Sequence, residues 1–205
     1  MTTIRNTFLA LGAVVLGGCS VLGGSAPLDA YELRAASLSA VVQGSLARDL
    51  VVEAPTTGGA LSTDRIMIRP DPLQAQYLPG VRWTDDAPVM LQNLMLRSFE
   101  QTGALRYVGR RPIGSTADYL LVSELTDFQA ELAEDGRVTT RVAMSLRLVR
   151  GSDMAILGSR NASASAVAAS NGARDVIEGF DTATSAVLAD VTTWTLSRMG
   201  LRVTQ

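Results

Sequence analysis

Two long stretches of the chain repeat apolar residues at steps of three and four, which is the spacing of one face of an α-helix. The first follows Asp86-Ala-Pro88, an acidic residue and an early proline that suit a helix start, and runs to about Thr102 before Gly103. The second covers Gly172–Arg198. Their predicted inward faces are Leu91, Leu94, Met95 and Phe99 in the first helix and Val176, Phe180, Ala183, Val187, Val191 and Trp194 in the second.

Other stretches alternate apolar and polar residues with period two, as half-buried strands do. Asp118–Phe128 is one long strand, and Asp135-Gly136 predicts a tight turn into a second, in which the apolar residues from Val142 to Leu148 alternate with polar or small ones. Asn161–Ser170 is rich in small residues and fits either an edge strand or a loop. Shorter strands are predicted at Tyr31–Leu33, Asp49–Glu53, Arg65–Arg69, Arg106–Val108 and Ala155–Arg160.

The order of strands, helix, three strands and helix predicts an α+β domain. One face of the returning strand is apolar and the other polar, which is typical of an antiparallel sheet with helices on one side. We therefore expect an antiparallel-rich mixed sheet with two main helices packed on one face. A content of 47% hydrophobic residues is enough to build its core.

The first residues have the design of a secretory signal. Met1–Asn6 carries a single positive charge, and Phe8–Leu16 is an apolar run of nine residues. As a helix this run would cover about 14 Å, roughly half of a bilayer core, so it is too short for an ordinary transmembrane span. A short apolar run behind a positive start is typical of a cleaved signal peptide.

Leu16-Gly17-Gly18-Cys19 resembles a lipobox, the site recognised by the bacterial lipoprotein machinery. Small residues let the chain enter the peptidase, and only a thiol can form the thioether that carries diacylglycerol. We predict cleavage before Cys19 and a covalent diacylglycerol and N-acyl chain on it. Ser20 is not an aspartate, which favours the periplasmic face of the outer membrane over the inner membrane. The alternative is a buried N-terminal helix with an incidental cysteine.

These signals predict three segments. Residues 1–18 would be the signal peptide, residues 19–30 the lipidated N-terminus and a flexible tether rich in glycine and serine, and residues 31–205 a single domain. The only membrane attachment that we predict is the lipid anchor.

The composition excludes several function classes. The chain has no histidine, all 18 of its basic residues are arginine, and Cys19 is its only cysteine. Ser-His-Asp and Cys-His catalytic groups, zinc sites of nitrogen and sulfur ligands, and an internal disulfide therefore cannot be built. A net charge of −2 argues against nucleic-acid binding. No phosphate-binding loop with a lysine is present, so the chain does not itself hydrolyse ATP. We expect no enzyme activity, no metal and no cofactor beyond the acyl chains.

Three arginines and two aromatic residues form a candidate partner surface: Arg65, Arg69, Tyr77, Arg82 and Trp83. Arginine and aromatic residues are enriched at binding hot spots. The alternative is an ordinary loop, irregular because of a proline and a glycine, whose tryptophan lies in the core.

Two acidic pairs are candidate sites as well. We interpret Asp85 and Asp86 as helix-capping residues rather than metal ligands. Glu124 and Asp127 are three residues apart in a predicted strand, which would place them on opposite faces and argues against a shared site.

Several segments in order resemble the auxiliary lipoproteins of ABC-type transport systems, the family of the paraquat-inducible and cholesterol-uptake-type auxiliary components. The likeness covers nearly the whole mature chain. The segments are the lipobox, Ala26-Pro27 with Tyr31-Glu-Leu-Arg34, Asp64-Arg-Ile-Met-Ile-Arg-Pro-Asp71, Tyr77-Leu-Pro-Gly-Val-Arg-Trp83, the helix containing Phe99, Ala117-Asp-Tyr119 and Glu124-Leu-Thr-Asp-Phe-Gln129.

The resemblance implies a fold like the N-terminal domain of TolB and a non-catalytic subunit of a lipid transport system. Its partners would be a periplasmic protein with a mammalian-cell-entry (MCE) domain and, through it, a permease and an ATPase. A homo-oligomer is a further expectation. Two alternatives stay open: a stand-alone periplasmic lipid-binding lipoprotein, which needs an apolar cavity of several hundred cubic ångström, and a structural envelope lipoprotein.

Overall fold

The computed structural model of the protein describes residues 27–35 and 41–204. The predicted signal peptide and the lipobox with Cys19 and Ser20 lie outside the described residues and stay predictions. Within the described ranges the elements are β1 (Asp29–Tyr31), β2 (Val41–Gln43), β3 (Leu46–Val52), β4 (Met67–Asp71), β5 (Gln74–Tyr77), β6 (Val81–Trp83), α1 (Ala87–Glu100), β7 (Leu105–Gly109), β8 (Tyr119–Leu132), β9 (Val138–Arg150), β10 (Ile156–Val167), α2 (Ala173–Arg198) and β11 (Arg202–Thr204).

Strand β8 is the centre of the main sheet. Along one edge it pairs antiparallel with β9, which pairs antiparallel with β10. Along its other edge, the first part of β8 pairs parallel with β3 and the last part pairs parallel with β4. Strand β7 adds to β3, and β5 closes a hairpin with β4. The prediction of a mixed sheet rich in antiparallel pairs is confirmed.

Both helices contribute to one core on the same face of this sheet. All four predicted inward residues of α1 are buried, and so are five of the six in α2, with Trp194 half-buried against the core. Trp83, Phe128 and Phe180 join the two layers, with ring centroids 5.0–5.6 Å apart. The predicted fold class is therefore confirmed. Of the helices in the described ranges, none is long and apolar enough to cross a membrane.

The long strands give the domain two ends. We call the end where β8 begins, beside Asp118 and Arg150, the polar end, and the end where β8 finishes at Leu132 the apolar end. The turn between β8 and β9 lies at the apolar end, where Gly136 adopts a φ of 82° as the predicted tight turn requires. The tip of the β4–β5 hairpin points to the same end, because β4 runs parallel to β8.

The N-terminal strand shows how the chain enters the domain. Strand β1 begins at Asp29, inside the segment predicted as tether, because its backbone pairs in parallel with β6. The segment from Leu78 to Trp83 runs antiparallel to the residues before β4, as the bonds from Leu78 N to Ile66 O and from Trp83 N to Asp64 O show. Strand β1 therefore runs from the apolar end towards the polar end, and the chain before it points to the apolar end.

Three local expectations change in the structure. Asp86 stands at the N-cap position of α1 but its side chain makes no capping hydrogen bond, so the helix start is held by backbone contacts and Pro88. The open choice for Asn161–Ser170 is settled in favour of an edge strand as far as Val167, because this segment pairs with β9 along its length. Strands β2 and β11, which pair antiparallel, were missed.

The expectation that Glu124 and Asp127 lie on opposite faces is wrong. A bulge between Leu125 and Asp127 adds one residue to β8. Glu124 pairs with Ser145 and Asp127 with Ala143, and these two partners are two residues apart on β9. Since residues two apart share a face of a strand, both carboxylates lie on the face of the sheet away from the helices. Asp127 faces Arg141, at 3.6 Å.

Candidate functional site

The structure brings three of the five predicted partner-surface residues together. Arg65 and Arg69 alternate along the β4 segment, and Tyr77 is paired with Met67, which lies between them. All three therefore lie on the sheet face opposite the helices. The Arg65 guanidinium stands 5.3 Å from the centre of the Tyr77 ring, and the Tyr77 hydroxyl donates to Ala60 O at 3.2 Å. This contact holds an exposed arginine and a tyrosine in one geometry.

The prediction that Trp83 belongs to this surface is wrong. Its side chain is 0% exposed and packs between Phe128 and Phe180. The reason is that β6 alternates regularly: Val81 and Trp83 point into the core, so Arg82 between them points away from it. Arg82 is held at the edge of the surface by Asp64, at 3.1 Å. We name Arg65, Arg69, Tyr77 and Arg82 the arginine–tyrosine surface.

An exposed sheet edge borders this surface. All four residues of β5 are exposed, and within the described residues β5 pairs with β4 alone. Its outer backbone groups are therefore open to another strand. At the tip of the hairpin Leu73 is 98% exposed, although it is a large apolar side chain.

A cleft at the polar end was not foreseen. It has a volume of about 450 Å³ and is lined by polar and charged side chains, including Arg48, Asp49, Arg106, Asp118 and Arg150. Asp118 accepts hydrogen bonds from Arg48 Nη1 at 2.8 Å and from the Asp49 backbone N–H at 2.9 Å. Arg106 donates to Asp49 at 2.8 Å. The network ties the start of β8 to β3, which lies 69 to 70 residues earlier in the chain, and ties β3 to β7, 57 residues after it.

The hydrogen bond from the Asp49 backbone N–H, followed by the bond and the charge of Arg48, holds the pKa of Asp118 below its ordinary value. A carboxyl group whose pKa is lowered by folding stabilises the fold above the pKa of the unfolded chain, and this contribution is lost as pH falls through the folded value. Asp118 therefore stabilises the contact between the start of β8 and β3 at neutral pH. Sequence reasoning missed this role because its partners are distant in the chain.

Replacing Asp118 by asparagine is expected to lower the free energy of unfolding at pH 7 by about 1–2 kcal/mol, since charge-assisted hydrogen bonds are lost from a half-buried site. The difference from the wild type should shrink below about pH 4, where the wild-type carboxyl also becomes protonated. Urea unfolding at a series of pH values measures both. Asp153→Asn removes the exposed partner of Arg150 and should change stability by less than about 0.5 kcal/mol. A difference that is constant down to pH 2 would contradict the electrostatic account.

A second cleft lies at the apolar end, on the helix side of the sheet. It measures about 120 Å³, and its walls are almost entirely apolar: Ile68, Pro70, Leu78, Ala130, Leu132, Val138 and Val176, with Asn171 beside them. Its walls come from the β4–β5 hairpin, the β8–β9 hairpin and the start of α2. We call it the apolar cleft.

Most of the folded domain is similar to a known protein family. The model of a family described as "ABC-type transport auxiliary lipoprotein component" matches residues 31–192, which is well over half of the chain. An uncharacterized protein from Bradyrhizobium diazoefficiens is 28% identical over 150 residues, which are 71% of this chain and 39% of that protein. The chain therefore spans less than half the length of this curated relative.

Two solved structures share the fold. A protein from Xanthomonas campestris superimposes with a TM-score of 0.75 at 24% identity, covering 84% of this chain and 96% of that one. A protein described only as uncharacterized superimposes with a TM-score of 0.65 at 15% identity, covering 82% of this chain and 97% of that one. At these identities the similarity shows the fold alone.

Proposed function

Since the chain belongs to the family of ABC-type transport auxiliary lipoprotein components, we propose that it is a non-catalytic subunit of an MCE-linked system that moves lipids between the inner and outer membranes. The match of the family over residues 31–192 is the observation that carries this proposal. The absence of histidine and lysine from the whole sequence supports a binding role, because it removes the most common general bases and nucleophile partners.

The proposed place of the protein is the periplasmic face of the outer membrane, anchored by acyl chains on Cys19. Its task there is to hold the outer end of a transport route by binding the periplasmic MCE subunit. A bound lipoprotein of this kind needs a rigid contact surface rather than a reaction centre. The permease and the ATPase of the system are then partners only through the MCE subunit.

The arginine–tyrosine surface is the proposed contact with the MCE subunit. Arg65 and Tyr77 are exposed and already held by each other and by Ala60, so little side-chain entropy is lost when a partner binds. The adjoining edge strand β5 offers backbone donors and acceptors to a partner strand. Both features favour protein binding at this flank of the sheet.

Changing both Arg65 and Tyr77 to alanine is expected to reduce recovery of the MCE subunit from native membranes by about tenfold or more, the loss typical of hot-spot residues. The measurement is an affinity pull-down with the lipidated protein, followed by identification of the co-purified chains. Arg174→Ala is the matched control, because Arg174 is an exposed arginine on α2 whose guanidinium pairs with Glu178 of the same helix, at 3.1 Å. Undiminished recovery with the double variant would exclude this surface as the contact with the MCE subunit. Failure of the wild type to recover an MCE protein would contradict the proposed function.

A stand-alone lipid carrier is less well supported. The larger of the two clefts described above, at about 450 Å³, is polar. The apolar cleft, at about 120 Å³, is below the range of roughly 300–1,000 Å³ that encloses a small-molecule ligand. A carrier that shields a whole lipid from water needs more apolar space than this cleft supplies.

A further inference from the structure

The distance between the anchor and the domain limits how the domain can face its membrane. Asp29 ties the chain to the fold, because its N–H donates to Gly80 O at 2.9 Å. Ten peptide steps lead from Cys19 to Asp29, and at full extension they cover at most about 36 Å. The position of Asp29 along the sheet therefore decides how easily each end can approach the lipid.

The register of the strands gives that position. Leu78 bonds to Ile66, and the next residue after Ile66 is paired with Gln129, so the entry point near Gly80 is about level with Phe128. Leu132 is four residues further along β8, or about 13 Å. Tyr119 is nine residues back, or about 30 Å. The polar end could approach the membrane only if most of the tether were fully stretched, whereas the apolar end is within easy reach.

The apolar end combines exposed apolar side chains with an apolar cleft, whereas the polar end, where Met154 and Ile156 are exposed, has a charged cleft. Leu73 at one hairpin tip is 98% exposed, and Leu132 at the end of β8 is 44% exposed and lines the apolar cleft. Val167, at the end of β10, is also exposed. In water the exposed parts of these side chains are left uncovered, but the boundary between headgroups and acyl chains would cover them.

We propose that the apolar end rests on the leaflet that holds the Cys19 lipid, and that the apolar cleft receives an acyl chain of a phospholipid from that leaflet. The cleft takes only a short piece of a chain, so the rest of the chain stays in the bilayer, which requires the cleft to lie at the membrane surface. The inference rests on the lipidation of Cys19 in the proposed function. It adds that the folded domain itself contacts lipid.

Single-cysteine probes test this orientation in the full, lipidated protein. Cys19 is the only cysteine, and its sulfur is blocked once it carries lipid, so a cysteine introduced elsewhere is the only free thiol. Leu73→Cys and Leu132→Cys place a fluorescent label at the apolar end. Met154→Cys is the matched control, because Met154 is 64% exposed in the β9–β10 turn at the polar end. The proteins are reconstituted in phosphatidylethanolamine–phosphatidylglycerol vesicles with or without bromine on the acyl chains.

We expect brominated chains to reduce the emission of the labels at positions 73 and 132 by about twofold or more, because these labels would lie about 5–10 Å into the interface, close to the acyl chains. The emission of the label at position 154 should not change. Equal quenching at position 154 would overturn the orientation. Quenching at position 73 alone would overturn the assignment of the cleft. An apolar shift of emission without quenching would mean that protein, not lipid, covers this end.

The same preparation separates this inference from the proposed function. If the labels are not quenched while the protein still fractionates with membranes and still recovers the MCE subunit, only the orientation is wrong. If the wild-type protein does not fractionate with membranes, the anchor fails and the inference fails with it.

Discussion

Replacing Cys19 by alanine is expected to release the folded domain from the membrane and to abolish lipid transport. Acyl chains contribute about 0.8 kcal/mol per buried methylene, far more in sum than the few exposed side chains of the apolar end can add, so their loss removes nearly all of the membrane affinity. The core of the described domain is built from residues after Pro27, which follows Cys19 by eight positions. The released domain should therefore unfold at the wild-type urea concentration. Membrane fractionation, mass spectrometry of the N-terminus and a lipid transport assay are the measurements.

A second substitution separates anchoring from position. Ser20→Asp leaves the thiol available for lipidation but places an aspartate after it, which is typical of lipoproteins that stay in the inner membrane. If the protein fixes the outer end of a transport route, this variant should be lipidated, fractionate with the inner membrane and fail to support transport. Full transport by an unlipidated, soluble Cys19→Ala protein would refute the anchoring role, and full transport by Ser20→Asp would refute the outer-membrane role.

The helices and the long hairpin could be predicted because their signals are local. The steps of three and four in α1 and α2 predict which residues point inward, and all of these are buried except Trp194, which is half-buried against the core. The pair Asp135-Gly136 alone predicts the position of the β8–β9 turn, because only a few residue types readily adopt the left-handed conformation that the turn requires. In these elements the residues that form the sequence signal are the same neighbouring residues that form the local structure.

The pairings between distant segments could not be predicted in the same way. Strand β1 pairs with β6, about 52 residues later in the sequence, and β2 pairs with β11, which lies near the other end of the chain. Each is only three residues long, too short for a period of two to stand out. The bulge in β8 is a similar case, because it is a single additional residue whose effect appears only in the register with β9.

The candidate sites also differ in whether their residues are close together or far apart in the sequence. Arg65, Arg69 and Tyr77 meet because alternation along β4 and the turn into β5 place them on one face, so the prediction of a shared surface rested on a local pattern. The sequence identifies Asp118 only as the start of a strand and as part of a resemblance, and its partners Arg48 and Asp49 are 70 and 69 residues away. Sequence position alone does not show that a carboxylate meets a backbone N–H at that distance.

Replacing Trp83 by alanine is expected to lower the free energy of unfolding by about 3–5 kcal/mol, because the substitution leaves a large cavity at the junction of the helices and the sheet. Trp83 contacts Phe180 edge-on at 5.4 Å between ring centroids and Phe128 at 5.6 Å. A loss of this size is a large share of the 5–15 kcal/mol that holds a domain of ordinary stability. Urea unfolding followed by circular dichroism measures it.

Trp83→Phe is the variant that separates the core role from a binding role. It keeps an aromatic ring in the cluster and removes an indole N–H for which the described residues offer no acceptor. Relief of that unsatisfied donor offsets part of the lost packing, so we expect a cost of only about 1 kcal/mol. Because the Trp83 side chain is buried, this variant should recover the MCE subunit as well as the wild type does. A well-folded Trp83→Phe protein that loses the partner would place Trp83 in the contact surface after all and would contradict its position in the core.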